Sequence, residues 1–342
     1  MLFNFNLMIF LTLMLMSIMI GLNSTSILFF WMSVEINMMS FIPMILFLNK
    51  YYNDSSMKYF LIQSLSSSLL LFFSLFIFLL MLNKIIYLMI FLSILMKMGA
   101  FPFYYWYLNM LTNLSWINCL ILMTVQKILP FYMLNNLFTL IYINNYMNLL
   151  IHMIYFMIFF NAMISVNLLF NINSIKLLLG LSSLNQMSWL MLLMLMNLKI
   201  WLFYFLMYSL ILMNLIYLLM TNKINYMNQF YYMLNKNFEK ILLFIFMMLM
   251  MSLPPLMGFF MKSFSIYLFT KFNIYYIIYM LLLISMIMFF YYMKLMIPSM
   301  MFFNNNLIMN INFFTNNNKN NIKKIIMSLI LILFSLFYWT IY

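Results

Sequence analysis

Glu35, Lys97, Lys127 and Lys262 each lie inside a long apolar run, in WMSVEINMMSFIP, LMKMGAFPFYYW, LILMTVQKILP and SLPPLMGFFMKSF. Carboxylate and ammonium groups take up and release protons, and holding such a charge at mid-membrane depth costs about 2.5–3.5 kcal/mol on insertion scales. Charges kept at that cost mark proton or ion pathways by default. Each residue also has a plainer reading. Glu35 reads as a protonated carboxyl joining two helices, Lys97 as a bystander at a kinked helix, and Lys127 and Lys262 as long stems carrying their charge to the interface. Glu35 is too short and too deep to reach an interface, and Lys97 stands near the middle of its run, so for these two the working charge is the better reading. Snorkelling stays open for Lys127, which is close to polar Asn135, and for Lys262.

Two of the four charges sit beside helix breakers. Gly99 and Pro102 follow Lys97, while Pro254, Pro255 and Gly258 precede Lys262. Proline removes a backbone donor and ends a helix. The carbonyls it frees are tolerated at membrane depth only against protein or water. Discontinuous helices with a working site at the bilayer midplane are a recurrent device of secondary transporters.

The elements that must hold these residues are transmembrane helices. The chain of 342 residues is 68% hydrophobic and 6% charged, with mean hydropathy +1.09, whereas a soluble domain is about half apolar. Its runs of about 20 apolar residues are long enough to span the hydrocarbon layer as helices, and they lack the alternation of barrel strands. The pattern predicts an all-α polytopic membrane protein of about eleven transmembrane helices. The predicted spans are 2–21, 26–48, 59–82, 85–106, 112–133, 137–160, 175–196, 200–220, 241–269, 273–294 and 325–342. The breaks fall in the fourth and ninth spans. An offset of five spans inverts the topology, so the single membrane domain, 1–342, is read as two inverted five-helix repeats, 1–133 and 137–294, each with a broken fourth helix. A polar, Asn-rich loop (295–324) and one C-terminal helix (325–342) follow.

Loop lysines set the expected orientation. Lys50, Lys58, Lys176, Lys223, Lys236, Lys240, Lys294, Lys319, Lys323 and Lys324 fall on one predicted side, and only Lys84, Lys199 and Lys271 on the other. The positive-inside rule then puts the amino terminus on the matrix or cytoplasmic side and the carboxyl terminus opposite. The first run lacks a basic n-region and a small-residue cleavage site, so it reads as a retained helix. The net charge of +13 is explained by loop lysines facing an anionic membrane surface and does not call for nucleic acid.

Much chemistry is excluded. One cysteine, Cys119, and one histidine, His152, rule out intrachain disulfides, iron–sulfur clusters, cysteine-type zinc sites and bis-histidine haem. Four glycines in all, Gly21, Gly99, Gly180 and Gly258, cannot supply a dinucleotide-binding loop. His152, with no charged neighbour in its span, reads as a satisfied core histidine rather than a proton relay. The polar runs QSLSSS (63–68) and SSLNQMS (182–188) suit water chains and close helix packing equally. The 45 Met, the absence of arginine and the excess of Phe, Tyr, Asn and Lys suggest an AT-rich organellar genome of invertebrate type.

WMSVEINMMSFIP, KYFLIQSLSSS, LMKMGAFPFYYW, LSWINCLILMTVQKILP, GLSSLNQMSW and SLPPLMGFFMKSF resemble, in order and spacing, blocks of the subunit 2 family of mitochondrial NADH dehydrogenase, complex I. That resemblance implies an antiporter-like fold and a proton-translocating subunit of NADH:ubiquinone oxidoreductase in the mitochondrial inner membrane, amino terminus on the matrix side and carboxyl terminus on the intermembrane-space side. It implies that Glu35, Lys97, Lys127 and Lys262 form a charged axis, and that neighbouring antiporter-like and small membrane subunits, with phospholipids, are the partners. It further implies no cofactor in this chain, the NADH, FMN, iron–sulfur and ubiquinone sites belonging to other subunits. Two blocks depart from the family. Gln186 replaces the histidine of the block ending NHLGW, and PFYYWYL replaces PFHFWFP, losing a histidine and a proline. A stand-alone cation/proton antiporter and a structural scaffold subunit are the competing readings. The first would exchange ions without partners, and in the second the buried charges would affect assembly and spare pumping.

Overall fold

The structure is a computed structural model describing residues 5–48, 53–80, 84–143, 148–196, 200–230, 237–253, 256–271 and 275–301. Among the described residues the regular elements are all helices, and eight stretches are long and apolar enough to cross a membrane. With no water to satisfy backbone groups, apolar chain of this kind pairs its amides within itself.

The chain divides into two compact units. The first, residues 1–165 and 179–198, holds α1 (Phe5–Asn23), α2 (Ile27–Leu48), α3 (Asn53–Leu80), α4 (Lys84–Met98), α5 (Tyr104–Asn113), α6 (Trp116–Met123), α7 (Val125–Ile143), most of α8 (Asn148–Asn167) and most of α9 (Ile175–Met196). There α1 packs on α2, α3 lies against α2 and α4, and α7 packs on α1, α4 and α6. The second, residues 166–178 and 199–342, includes α10 (Ile200–Thr221), α11 (Asn237–Met251), α12 (Met257–Lys271) and α13 (Tyr275–Met301). Here α11 is the hub, packing on α10, α12 and α13.

Interior serines cost little because their hydroxyls bond back to their own helices. Ser17, Ser33, Ser40, Ser66, Ser93, Ser182 and Ser188 each donate to the carbonyl three residues earlier. Their small size then lets helices approach closely. QSLSSS follows this pattern, Ser64, Ser66, Ser67 and Ser68 all bonding within α3, which favours packing over a water chain for that run.

The first predicted break is present, and glycine makes it. Gly99 has φ +67; its N–H reaches the Met96 carbonyl (3.3 Å), and the Ala100 N–H reaches that of Leu95 (3.1 Å). This pair of bonds is a Schellman C-cap, which favours glycine at the left-handed position. A Cβ on Gly99 would also run into the side chain of Tyr107. The chain restarts as α5 after Pro102. At the second break α11 stops at Met251, Ser252 takes φ 63, and a Cβ on Gly258 would strike the Leu249 carbonyl oxygen. Pro254 and Pro255 lie outside the described residues. At 15 residues each, α4, α11 and α12 reach only about 22 Å, short of the ~30 Å hydrocarbon layer.

Several expected boundaries move. The predicted division near residue 110 is absent, because α5 runs through to Asn113 and the interruptions come at 99–103 and 114–115. The predicted helix end at 133 is also absent, since α7 continues to Ile143. His152 is therefore near the start of α8 and exposed, which corrects its reading as a core histidine. Lys240, read as a loop lysine, sits in the first turn of α11 and is buried. The predicted last helix, 325–342, and most of the Asn-rich loop lie outside the described residues.

Replacing Gly99 with alanine forces a Cβ into the left-handed region, at about 1–2 kcal/mol, as well as into Tyr107. A lowered midpoint in thermal unfolding of the detergent-solubilised protein is expected, and an unchanged midpoint would show the cap is not required.

Candidate functional site

The site grows out of the first break. Where α4 ends, its last carbonyls lose helical partners, and side chains replace them. Gln63 of α3 donates from Nε2 to the Lys97 carbonyl (3.1 Å), and Trp106 of α5 donates from Nε1 to that of Met96 (3.1 Å). Asn161 of α8 braces the connecting loop. Its Oδ1 accepts from the Phe101 N–H (3.2 Å) and its Nδ2 donates to the Leu184 carbonyl (2.9 Å). Such replacement is what irregular backbone in apolar surroundings requires.

Lys97 occupies the last turn of α4 and is 7% exposed. The Glu35 carboxylate on α2 acts on its ammonium through space. Glu35 is half-buried, at the margin between the inward face of α2 (Ser33, Val34, Asn37, Met38) and its outward face (Met32, Ile36, Met39). Lys127 stands in the first turn of α7, just after the interruption at Thr124, and is 2% exposed. The negative end of the α4 dipole and the positive end of the α7 dipole put the two ammonium groups in opposite backbone fields. Both are buried, so for these lysines snorkelling is set aside.

Lys127 is held by side chains from PFYYWYL and SSLNQMS, runs that the sequence reading marked without pairing them with a lysine. Its Nζ donates to the Tyr107 hydroxyl at 2.9 Å and lies 4.4 Å from the centre of that ring, with Ser183 Oγ at 3.4 Å and Met187 Sδ at 3.6 Å. A second chain crosses nearby. Tyr59 donates to Gln126 Oε1 (3.1 Å), and Gln126 Nε2 donates to Asn37 Oδ1 (3.2 Å), tying α3, α7 and α2 together. Between these groups is a cavity of about 20 Å³ lined by Tyr59, Gln63, Lys97, Tyr107, Gln126 and Lys127, among others. That is room for a single water with several polar partners.

In the second unit, Lys262 lies on α12 four residues after Gly258 and is 6% exposed, which sets snorkelling aside there too. Gln186, at the position of the family histidine, is buried in α9. Among the described residues no cluster of three or more His, Cys, Asp or Glu could hold a metal.

Comparison with known proteins gives this geometry a family. Residues 24–288 match the family described as NADH:quinone oxidoreductase/Mrp antiporter, TM. The chain belongs to this family. It is 34% identical over 281 residues to NADH-ubiquinone oxidoreductase chain 2 of Anopheles gambiae, covering 79% of each chain. It is also 34% identical to the chain of that name from Locusta migratoria, covering 75% of this chain and 74% of the other. Among solved structures, a chain of respiratory complex I from Thermus thermophilus superposes with TM-score 0.76 at 16% identity, over 86% of this chain and 71% of that one. At that identity the superposition speaks to fold alone. For a family of antiporter-type subunits, the sequence-level signal that reached the site was charge inside apolar runs. Tyr107, Ser183 and Gln63 carry no such signal, being ordinary polar residues until folding brings them to Lys97 and Lys127.

Burial separates the lysines chemically. Amine acylation of the membrane-embedded protein is expected to modify exposed Lys58, Lys84, Lys223 and Lys294 and to spare Lys97, Lys127 and Lys262, as read by peptide mass spectrometry. Ready labelling of the latter three would contradict their placement.

Proposed function

We infer that this chain is a proton-translocating, antiporter-like membrane subunit of respiratory NADH:ubiquinone oxidoreductase, a multi-pass protein of the mitochondrial inner membrane that works with the other subunits of that complex. The observation that carries this reading is the small polar cavity lined by both Lys97 and Lys127. Two buried amines around one water-sized space make a route along which a proton can change owner without entering hydrocarbon.

In the mechanism we propose, Lys97 keeps its proton while Glu35 is ionised. When Glu35 is neutralised or turns away, the buried ammonium loses its counter-charge, and burial disfavours a cation without one. The proton then passes through the cavity to Lys127. Lys262 is the fourth charge of the proposed axis. The half-buried position of Glu35, with apolar Met32, Ile36 and Met39 outward of it, suits a neighbouring subunit covering that edge, since lipid is a poor surrounding for a carboxylate.

The chain order supports the repeat reading. In each half, three helices precede a broken pair, α4 with α5 and α11 with α12, and a further span follows. We propose these halves as inverted repeats (1–133 and 137–294), followed by an eleventh span, with the amino terminus at the matrix and the carboxyl terminus at the intermembrane space. NADH, FMN, iron–sulfur clusters and ubiquinone are assigned to other subunits.

The test is proton pumping by the assembled complex in proteoliposomes. Glu35→Gln and Lys97→Met are each expected to lower protons translocated per NADH oxidised while leaving assembly intact. Pumping that stays at the native ratio in both variants would sink the axis and leave the scaffold reading. Ion exchange by the isolated chain would favour the stand-alone antiporter.

A further inference from the structure

The buried hydroxyl pair beside Lys127 has a direction. Ser183 Oγ donates to the carbonyl of Gly180 in its own helix (2.6 Å), so its one proton is committed. The contact between Tyr107 and Ser183, also 2.6 Å, is then donated by the phenol. Lys127 also donates to the same phenol oxygen (2.9 Å). The order of the short contacts is Lys127 Nζ to Tyr107 hydroxyl to Ser183 Oγ to Gly180 carbonyl.

The other contacts of the Lys127 ammonium are poor routes for a proton. Met187 offers a thioether at 3.6 Å and Ser183 a hydroxyl at 3.4 Å, a weak donor–acceptor geometry beside 2.9 Å. Tyr107 is also placed to face both ways. It lines the cavity that Lys97 lines, and the missing Cβ of Gly99, two residues after Lys97, lets the end of α4 pack directly on its side chain. A tyrosine with 0% exposure needs a partner for its hydroxyl, and Ser183 alone would satisfy that need. The second contact, from an ammonium at 2.9 Å, is what a structural tyrosine does not require.

We propose that the Tyr107 phenol is a proton-relay group between Lys127 and the Lys97 cavity, with Ser183 as the positioning residue that holds its hydroxyl in the resting orientation. This rests on the reading that protons pass between the two lysines. In the transfer step the phenol turns from Ser183 to a cavity water and gives it a proton. The phenol oxygen takes a proton from Lys127 Nζ, and the water passes one to neutral Lys97. One N–H bond breaks at Lys127 and one forms at Lys97. Tyrosine and water end as they began, and no electrons move. The reverse step runs through the same bonds.

The experiment compares Tyr107→Phe, Ser183→Ala and Lys127→Met in the assembled complex in proteoliposomes. Proton uptake per NADH oxidised and the solvent deuterium isotope effect on pumping are measured, with assembly checked on native gels. Tyr107→Phe removes one oxygen, and an at least tenfold slower proton uptake with NADH oxidation uncoupled from it is expected. Ser183→Ala, which frees the phenol from its resting acceptor, is expected to keep pumping but change its isotope effect. If Lys127→Met abolishes pumping while Tyr107→Phe assembles and pumps at the native ratio and isotope effect, the relay is overturned and the lysine axis stands. If Lys127→Met itself pumps normally, the underlying reading fails first and takes the relay with it. Should Tyr107→Phe not assemble, Ser183→Ala decides, and a native isotope effect there overturns the proposal.

Discussion

A helix that stops among apolar surroundings must find partners for its last carbonyls, and the site depends on how α4 meets that constraint. The Gly99 and Ala100 N–H groups close two of the bonds as a Schellman cap, Gln63 of α3 meets the Lys97 carbonyl, and Trp106 of α5 adds a second donor at that of Met96. Each unsatisfied group in such a place costs roughly 1–3 kcal/mol, so these side chains are held firmly where the carbonyls are. The result is polar residues concentrated at one depth, beside Lys97. The cavity between the lysines follows from the same constraint, because Gln63 and Trp106 are among the residues that line it.

Burial of the lysines follows the same logic. An amine stem in a bundle interior has to be met by hydrogen-bond acceptors or lose its charge. Lys127 is met by Tyr107 and Ser183, and Lys97 by the carboxylate of Glu35 acting through space. The two lysines therefore have different surroundings, a fixed hydroxyl for one and an acid side chain for the other. A pathway needs such asymmetry, since a proton moves only between groups whose hold on it can change relative to one another. Departures from the family pattern read in the same terms. Gln186 cannot exchange a proton, whereas PFYYWYL brings Tyr107, whose hydroxyl reaches Lys127.

The sequence by itself determined the class of the protein. Apolar runs with few charges leave only helices as a solution in hydrocarbon, so the all-helical membrane fold was legible, as were the two interruptions, because glycine and proline act locally. Glu35, Lys97, Lys127 and Lys262 stood out for the same reason, each being a charge where hydrocarbon penalises charge. Length and composition could not fix the ends of helices at 106–115 and 133–143, where polar Asn109, Asn113, Asn135 and Asn136 look like loop residues and α5 and α7 carry through them. His152 was misplaced for that reason.

Only the tertiary structure decided who meets the charges. Tyr107 and Ser183 are separated by 76 positions, Gln63 and Lys97 by 34, and Phe101 and Asn161 by 60. No local pattern records such pairings. Hydrocarbon penalises every unpaired polar atom alike, so the sequence shows that partners must exist, while the packing of α3, α5, α7, α8 and α9 selects which side chains they are.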